Sequence, residues 1–343
     1  MANSKATDIQ RATPTRRRQG RLRLIVGYLA IAAILPYFLV KLAWVAGSSV
    51  GINATSAVDQ SVVRGGNLIT MAMEVIAAFI ILAFTHSWGL RAPAWLVLAP
   101  AWVGTGLLAP FVITGPVVAG SVASGTSSVG DGSLAAWVGP LVYLGFGAQA
   151  VGIGLSFILY VRARWPGVLS GRLADHPVGP YQPAYVFLLG VILVLLTVVF
   201  AARLPWALGS TAGLSEHLVR SRGIADQVAD AGTALFVVAA AVGMVLLVQR
   251  RRQVRTWIPL ALAWIGGGAV FGTGLYPLVL LLVAVAGLGG DLDRGLVPFI
   301  DLTQTIVGTV IAVTGIFLIL ELTLPKVPTG RSHTVTPDLT PSG

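Results

Sequence analysis

The sequence predicts an all-α integral membrane protein in which eight transmembrane helices form two parallel four-helix repeats. Three observations predict it. Hydrophobic residues make up 55% of 343 and charged residues only 10%, where a soluble domain carries roughly a quarter charged. The apolar residues gather into eight runs near or above the roughly 20 residues that a helix needs to cross hydrocarbon, without the alternation of barrel strands. The chain is also written twice in one register. Leu42-Ala-Trp44-Val-Ala-Gly47-Ser48-Ser49-Val-Gly51 returns as Leu204-Pro-Trp206-Ala-Leu-Gly209-Ser210-Thr211-Ala-Gly213, an offset of 162 residues (204 − 42). The same offset pairs Lys41 with Arg203 and Trp95 with Trp257. It also carries Ala101-Trp102-Val-Gly104-Thr-Gly106 onto Ala263-Trp264-Ile-Gly266-Gly-Gly268.

Taken in order, residues 1–23 are a basic leader (Lys5, Arg11, Arg16, Arg17, Arg18, Arg21, Arg23) without apolar period; such a segment is expected to be disordered. The first apolar run, about 24–46, is longer than the 7–15 residues of a signal-peptide core and is read as helix one. Further spans are expected at about 67–87, 93–114, 136–161, 184–208, 227–249, 257–287 and 298–323. The first repeat then covers 24–161 and the second 184–324. Between them lies a linker, 162–183, rich in Pro and Gly (Pro166, Gly167, Gly171, Pro177, Gly179, Pro180, Pro183). Residues 115–134 form a flexible Gly/Ser-rich loop, and 325–343 a disordered tail.

Lys and Arg set the orientation. With the N-terminus inside, inner segments hold seventeen of them and outer loops four (Arg64, Arg220, Arg222, Arg294). The excess places both termini in the cytoplasm of a multi-pass protein. Four helices per copy bring both copies into the membrane from the same side, so the repeat is parallel, about an axis along the membrane normal. Twenty Arg against three Lys, with abundant Ala and Gly, points to a high-GC bacterial genome and its cytoplasmic membrane. The net charge of +10 lies at the ends of the spans, as membrane topology requires, so the expected partner is the bilayer, with a membrane-protein partner open and no nucleic acid.

The repeated Trp-x-x-Gly-Ser-[Ser/Thr]-x-Gly falls where helices one and five leave the bilayer. Trp44 and Trp206 are expected as interfacial anchors, with Gly47, Gly51, Gly209 and Gly213 ending the helix and turning the chain; the functional alternative is an outward-facing binding lip. This pattern at the end of a first helix, followed by three more helices, resembles small four-helix membrane proteins of actinobacteria that have no assigned function. Two of them in tandem would cover most of the chain. The motif reads Gly-Ser here where the family also has Gly-Gly, and the resemblance brings no activity with it.

Charges inside spans are the next candidates, because an unpaired charge in hydrocarbon is costly. Lys41 and Arg203 are equivalent cations, and Glu74 and Asp230 lie at matching depth on the following helices. They are either ion pairs that hold helices together or a proton or ion relay. The acids are not repeat-equivalent, since Glu74 aligns with Phe236 and Asp230 with Leu68. Gly104, Gly106, Gly266 and Gly268 interrupt helices three and seven, with Pro110 and Pro277 beyond them. Such interruption marks either close packing or a transporter's site. Gln149 and Gln304 are intramembrane amides suited to interhelical hydrogen bonds.

Other chemistries find no residues. Paired four-helix bundles are similar to those of haem A synthases, whose axial ligands are intramembrane histidines, but His86, His176, His217 and His333 lie at a span edge, in loops or in the tail. Cysteine is absent, and no Walker loop, nucleophile elbow or zinc-protease motif occurs. Glu216-His217 with Asp226 reads as solvated loop rather than metal site. No cofactor is expected. Three readings stay open: permeation or transport of a small molecule, lipid or ion at the cleft between the bundles; a non-catalytic accessory or assembly subunit; and an integral-membrane enzyme without a legible catalytic constellation.

Overall fold

In lipid, long apolar runs satisfy their backbone by becoming helices. The computed structural model describes residues 14–53, 60–125, 134–166, 171–173, 179–250, 253–285 and 294–323. Among these residues nine helices follow in order: α1 (Pro14–Val45), α2 (Gln60–Thr85), α3 (Ala94–Ala123), α4 (Val138–Arg164), α5 (Gln182–Ala207), α6 (Glu216–Ser221), α7 (Ile224–Gln249), α8 (Trp257–Val285) and α9 (Val297–Thr323). All but the short α6 are long and apolar enough to cross a membrane. Most of the expected leader and tail, and much of the linker, lie outside the described residues.

Three boundaries differ most from expectation, the first being that of α2, which starts at Gln60 rather than near 67. Helix α1 starts at Pro14, inside the segment read as a disordered leader. Proline suits a first helical turn, Arg and Leu are good helix formers, and Arg23 is buried with its Nε donating to the Phe84 carbonyl at 3.0 Å. Helix α3 continues to Ala123, nine residues into the expected loop, with Pro116 inside it.

The long helices pack as two groups. In the first, α1 lies against α2 and α4, and α4 against α3; in the second, α7 lies against α5 and α8, and α9 against α8 and α5. Helix α3 joins the groups by packing on α8 and α7. One core gathers Ile34, Ile81, Phe84, Ile153 and Tyr160, and the other Ile192, Leu196, Met244, Val270 and Val307. The groups are not equally tight. A Cβ at Gly266 would stand 2.7 Å from Phe236 O and 2.9 Å from Ala240 Cα, so α8 and α7 meet backbone to backbone. Gly104, the residue 162 positions earlier, faces open space.

The two copies of the Trp motif fold alike. Trp44 Nε1 donates to Val50 O at 2.7 Å and Trp206 Nε1 to Ala212 O at 2.9 Å, each six residues ahead. Gly47 and Gly209 take φ of 93° and 94°, and Gly51 and Gly213 of 72° and 77°, a left-handed backbone that favours glycine. The turns are then tied to the helix that closes each group: Ala135 N donates to Gly51 O at 2.9 Å and Leu296 N to Gly213 O at 2.7 Å. Both indoles are buried. This corrects the expectation of interfacial anchors, because the indole N–H is used to fold the chain back over its own helix end.

Candidate functional site

Charge is brought together at the motif end of each helix group. In the first, Lys41 of α1 donates from Nζ to Glu74 Oε1 of α2 at 2.8 Å, with Lys41 1% and Glu74 5% exposed. The ammonium stands 4.2 Å from the Tyr37 ring centroid and 5.4 Å from that of Phe146, so aromatic faces supply part of the solvation that burial removes. The second carboxylate oxygen, Oε2, accepts nothing among the described residues.

The second group is more elaborate. Arg203 of α5 donates from Nη1 to Asp230 Oδ1 of α7 at 2.8 Å and from Nη2 to Asp301 Oδ1 of α9 at 2.7 Å. Its Nε and Nη2 also reach Gln304 Oε1 at 2.9 and 2.7 Å. Gln304 passes the network on, with Nε2 donating to Thr273 Oγ1 of α8 at 2.8 Å. Arg222, from the turn between α6 and α7, pairs with Asp230 Oδ2 and donates to Trp206 O at 2.9 Å. Two arginines thus face two aspartates, and one guanidinium fork ties α5, α7 and α9 together. A planar guanidinium whose donors point to several partners at once suits arginine to such buried ion pairs.

Sequence reasoning found Lys41, Glu74, Arg203 and Asp230 but missed Asp301 and Arg222. Asp301 sits in the first turns of α9, where an acid reads as a span edge, and Arg222 was counted as a loop charge. One signal was available: Asp301, Gln304 and Thr305 share one face of a helix at i, i+3 and i+4 spacing. The charges stay within their own groups. No pair crosses between α1–α4 and α5–α9 among the described residues.

Gly106 and Gly268 lie between the groups, where α3 crosses α8. A Cβ at Gly106 would run into Gly268 O, and one at Gly272 would stand 2.7 Å from Gly106 C. Beside this crossing Trp102 Nε1 donates to Trp264 O at 3.1 Å, and Trp264 stacks on Phe157 with centroids 4.9 Å apart. Small residues here bring two backbones into contact. The cleft expected to hold a cargo site is therefore closed at this level. Two cavities stand out elsewhere, both apolar. One of about 250 Å³ lies on the flank of α7 and α8 around Phe236 and Trp257; another of about 560 Å³ lies between α1, α3 and α4 around Ala30, Phe111 and Gly152. Neither is lined by Lys41, Glu74, Arg203 or Asp230.

The polar loop residues are used locally. Glu216 pairs with Arg220 at 3.8 Å on α6, and Asp226 accepts from Gly223 N at 2.8 Å. No three metal-ligating side chains gather among the described residues.

Searches of protein-family models, curated proteins and solved structures find no match to this chain. The fold and these sites define an all-helical polytopic membrane protein with eight apolar helices of spanning length.

Proposed function

We propose that the protein is a non-catalytic, non-transporting component of the bacterial cytoplasmic membrane. It is a tandem duplicate of a four-helix unit, with both termini in the cytoplasm, that holds a rigid set of helix faces toward a membrane partner. The family it draws on is the actinobacterial four-helix group that its Trp motif resembles. One observation carries the reading: the seam between the two groups is closed by the backbone contact of Gly106 with Gly268 and Gly272. A transporter of the duplicated type would place its cargo at that seam. The buried charges fit a scaffold as well, because Lys41 pairs with Glu74 and Arg203 with Asp230 and Asp301 between helices of one group. The outward face of α2 leaves Leu68, Ile69, Met73, Ile76 and Phe79 exposed, an apolar surface open to a neighbour.

A second reading, a proton or ion relay, is favoured by the buried Glu74 Oε2 that no described donor satisfies. Liposomes that contain the purified protein and a trapped pH dye separate the two. Under an imposed potential the scaffold gives proton entry equal to that of protein-free liposomes. Entry several-fold faster, and lost in Glu74→Gln, would establish the relay and overturn the scaffold.

A further inference from the structure

In a bilayer, a helix surface that no neighbouring helix covers is covered by lipid chains, which are as apolar as leucine. The groove of about 560 Å³ between α1, α3 and α4 lies on such a surface. Glycines account for it. A Cβ at Gly152 would stand 2.7 Å from Ala30 Cβ of α1, and one at Gly147 3.2 Å from Phe111 O of α3. Without those side chains α4 sits close against both neighbours, and its lining is small at Gly147, Ala148 and Gly152. Bulkier lining residues, Val112, Leu144, Val151 and Leu155, are each 46–50% exposed. The groove is thus continuous with the apolar surface that the bilayer covers.

Its dimensions select the occupant. From Tyr143 to Leu155 the groove follows twelve residues of α4, roughly 18 Å at the rise of a helix. That is about the depth of one leaflet, half of a hydrocarbon core some 30 Å thick. The mean cross-section is then roughly 30 Å², against roughly 80 Å² for a helix with its side chains. A further helix, from a partner or from a second copy, is too wide; a single hydrocarbon chain fits. The end of the groove on the Trp-motif side adds a polar group. Tyr143 lies five residues inside the start of α4 at Val138, roughly 8 Å along the helix, where Tyr meets the headgroup layer. It packs edge-to-face on Phe111 with centroids 5.6 Å apart, and its hydroxyl has no hydrogen-bond partner among the described residues. We propose that this groove binds one acyl chain of a membrane glycerophospholipid, with the Tyr143 hydroxyl donating to the ester carbonyl of that chain. The inference is independent of whether the protein is a scaffold or a relay.

Native mass spectrometry of the full chain in neutral detergent tests it. The probes are dipalmitoyl phosphatidylglycerol, its ether-linked analogue and a polyprenol. The wild type holds the ester lipid most tightly. Ala148→Trp, which fills the groove from an exposed position, weakens that binding roughly tenfold, the effect of excluding two methylenes. Val194→Trp, exposed on α5 away from the groove, leaves it in place. Tyr143→Phe weakens it about fivefold, the value of one hydrogen bond, and the wild type holds the ether analogue as weakly as Tyr143→Phe holds the ester. Lipid-free unfolding midpoints equal to that of wild type show that the variants fold; if Ala148→Trp does not, Ala148→Leu carries the test with a smaller loss in the same direction. The proposal is overturned by wild-type affinity in the groove-filling variant or in Tyr143→Phe, by ester and ether lipids held alike, or by a polyprenol held more tightly than the ester. A dimer of the chain that Ala148→Trp dissociates would give the groove to a second copy and overturn it too.

Discussion

Arg203→Met is expected to lower stability more than any other single change in the chain, by about 3–5 kcal/mol, the range for breaking a buried ion pair. The guanidinium makes four hydrogen bonds to Asp230, Asp301 and Gln304. Its loss does not strand the acids equally. Asp230 keeps Arg222, but Asp301 is left without its guanidinium and 1% exposed. The cost should therefore be recovered in large part by Arg203→Met with Asp301→Leu, and much less by Arg203→Met with Asp230→Leu, which leaves Asp301 stranded and Arg222 without its acid. Arg203→Lys should fall between, because a point charge cannot reach three acceptors on two helices at once. Unfolding midpoints in detergent across the four variants check the order. An Arg203→Met protein as stable as wild type would remove the network from the account.

Lys41→Met is expected to cost about 3 kcal/mol, the lower end of the same range, because here one pair is broken rather than a cluster. Glu74 would be left in the interior with neither oxygen paired. Replacing both members, Lys41→Met with Glu74→Leu, should restore most of the loss, since a buried pair need not exceed apolar residues of similar size in stability. The aromatic ring of Tyr37 gives a further check. Tyr37→Leu removes the ring 4.2 Å from the ammonium and should cost about 1–2 kcal/mol in the wild type, the value of a desolvated cation over an aromatic face, and far less once Lys41 is Met. A Lys41→Met variant that unfolds at the wild-type midpoint would show that the pair contributes nothing.

The number of spans was legible because hydrocarbon demands about 20 apolar residues per helix and nothing else in this composition competes. Lys41 with Glu74 and Arg203 with Asp230 were legible for a related reason: in a bilayer, depth is a coordinate, and charges at matching depth on consecutive helices have few other partners. Depth failed for Asp301, because α9 begins four residues earlier, at Val297, and a first-turn acid is ordinary at any helix start. It failed for Arg222, because nothing in a loop sequence says that the loop folds back over the bundle. The Trp motif was found by repetition, but its use was misjudged. Trp at a membrane boundary has a standard role in the headgroup layer, and only the turn geometry shows the indole bonded six residues ahead. The glycines of α3 and α8 left close packing and a transporter's site open in the sequence; in the structure Gly106, Gly266 and Gly268 meet backbone, while Gly104 faces open space.

The closed seam is the claim on which the proposed function rests, and the chain contains no cysteine, so thiol accessibility tests it directly. Thr105, whose Oγ1 lies 3.4 Å from Trp264 Nε1, marks the seam. Ser49, exposed on the Trp motif, and Gly171, in the linker, mark the two ends of the bundle. With an impermeant methanethiosulfonate reagent, Ser49→Cys should react in intact cells and Gly171→Cys only after the membrane is opened. Thr105→Cys should react under neither condition. Reaction of Thr105→Cys from either side would mean that water reaches the seam between α3 and α8, and would contradict the account.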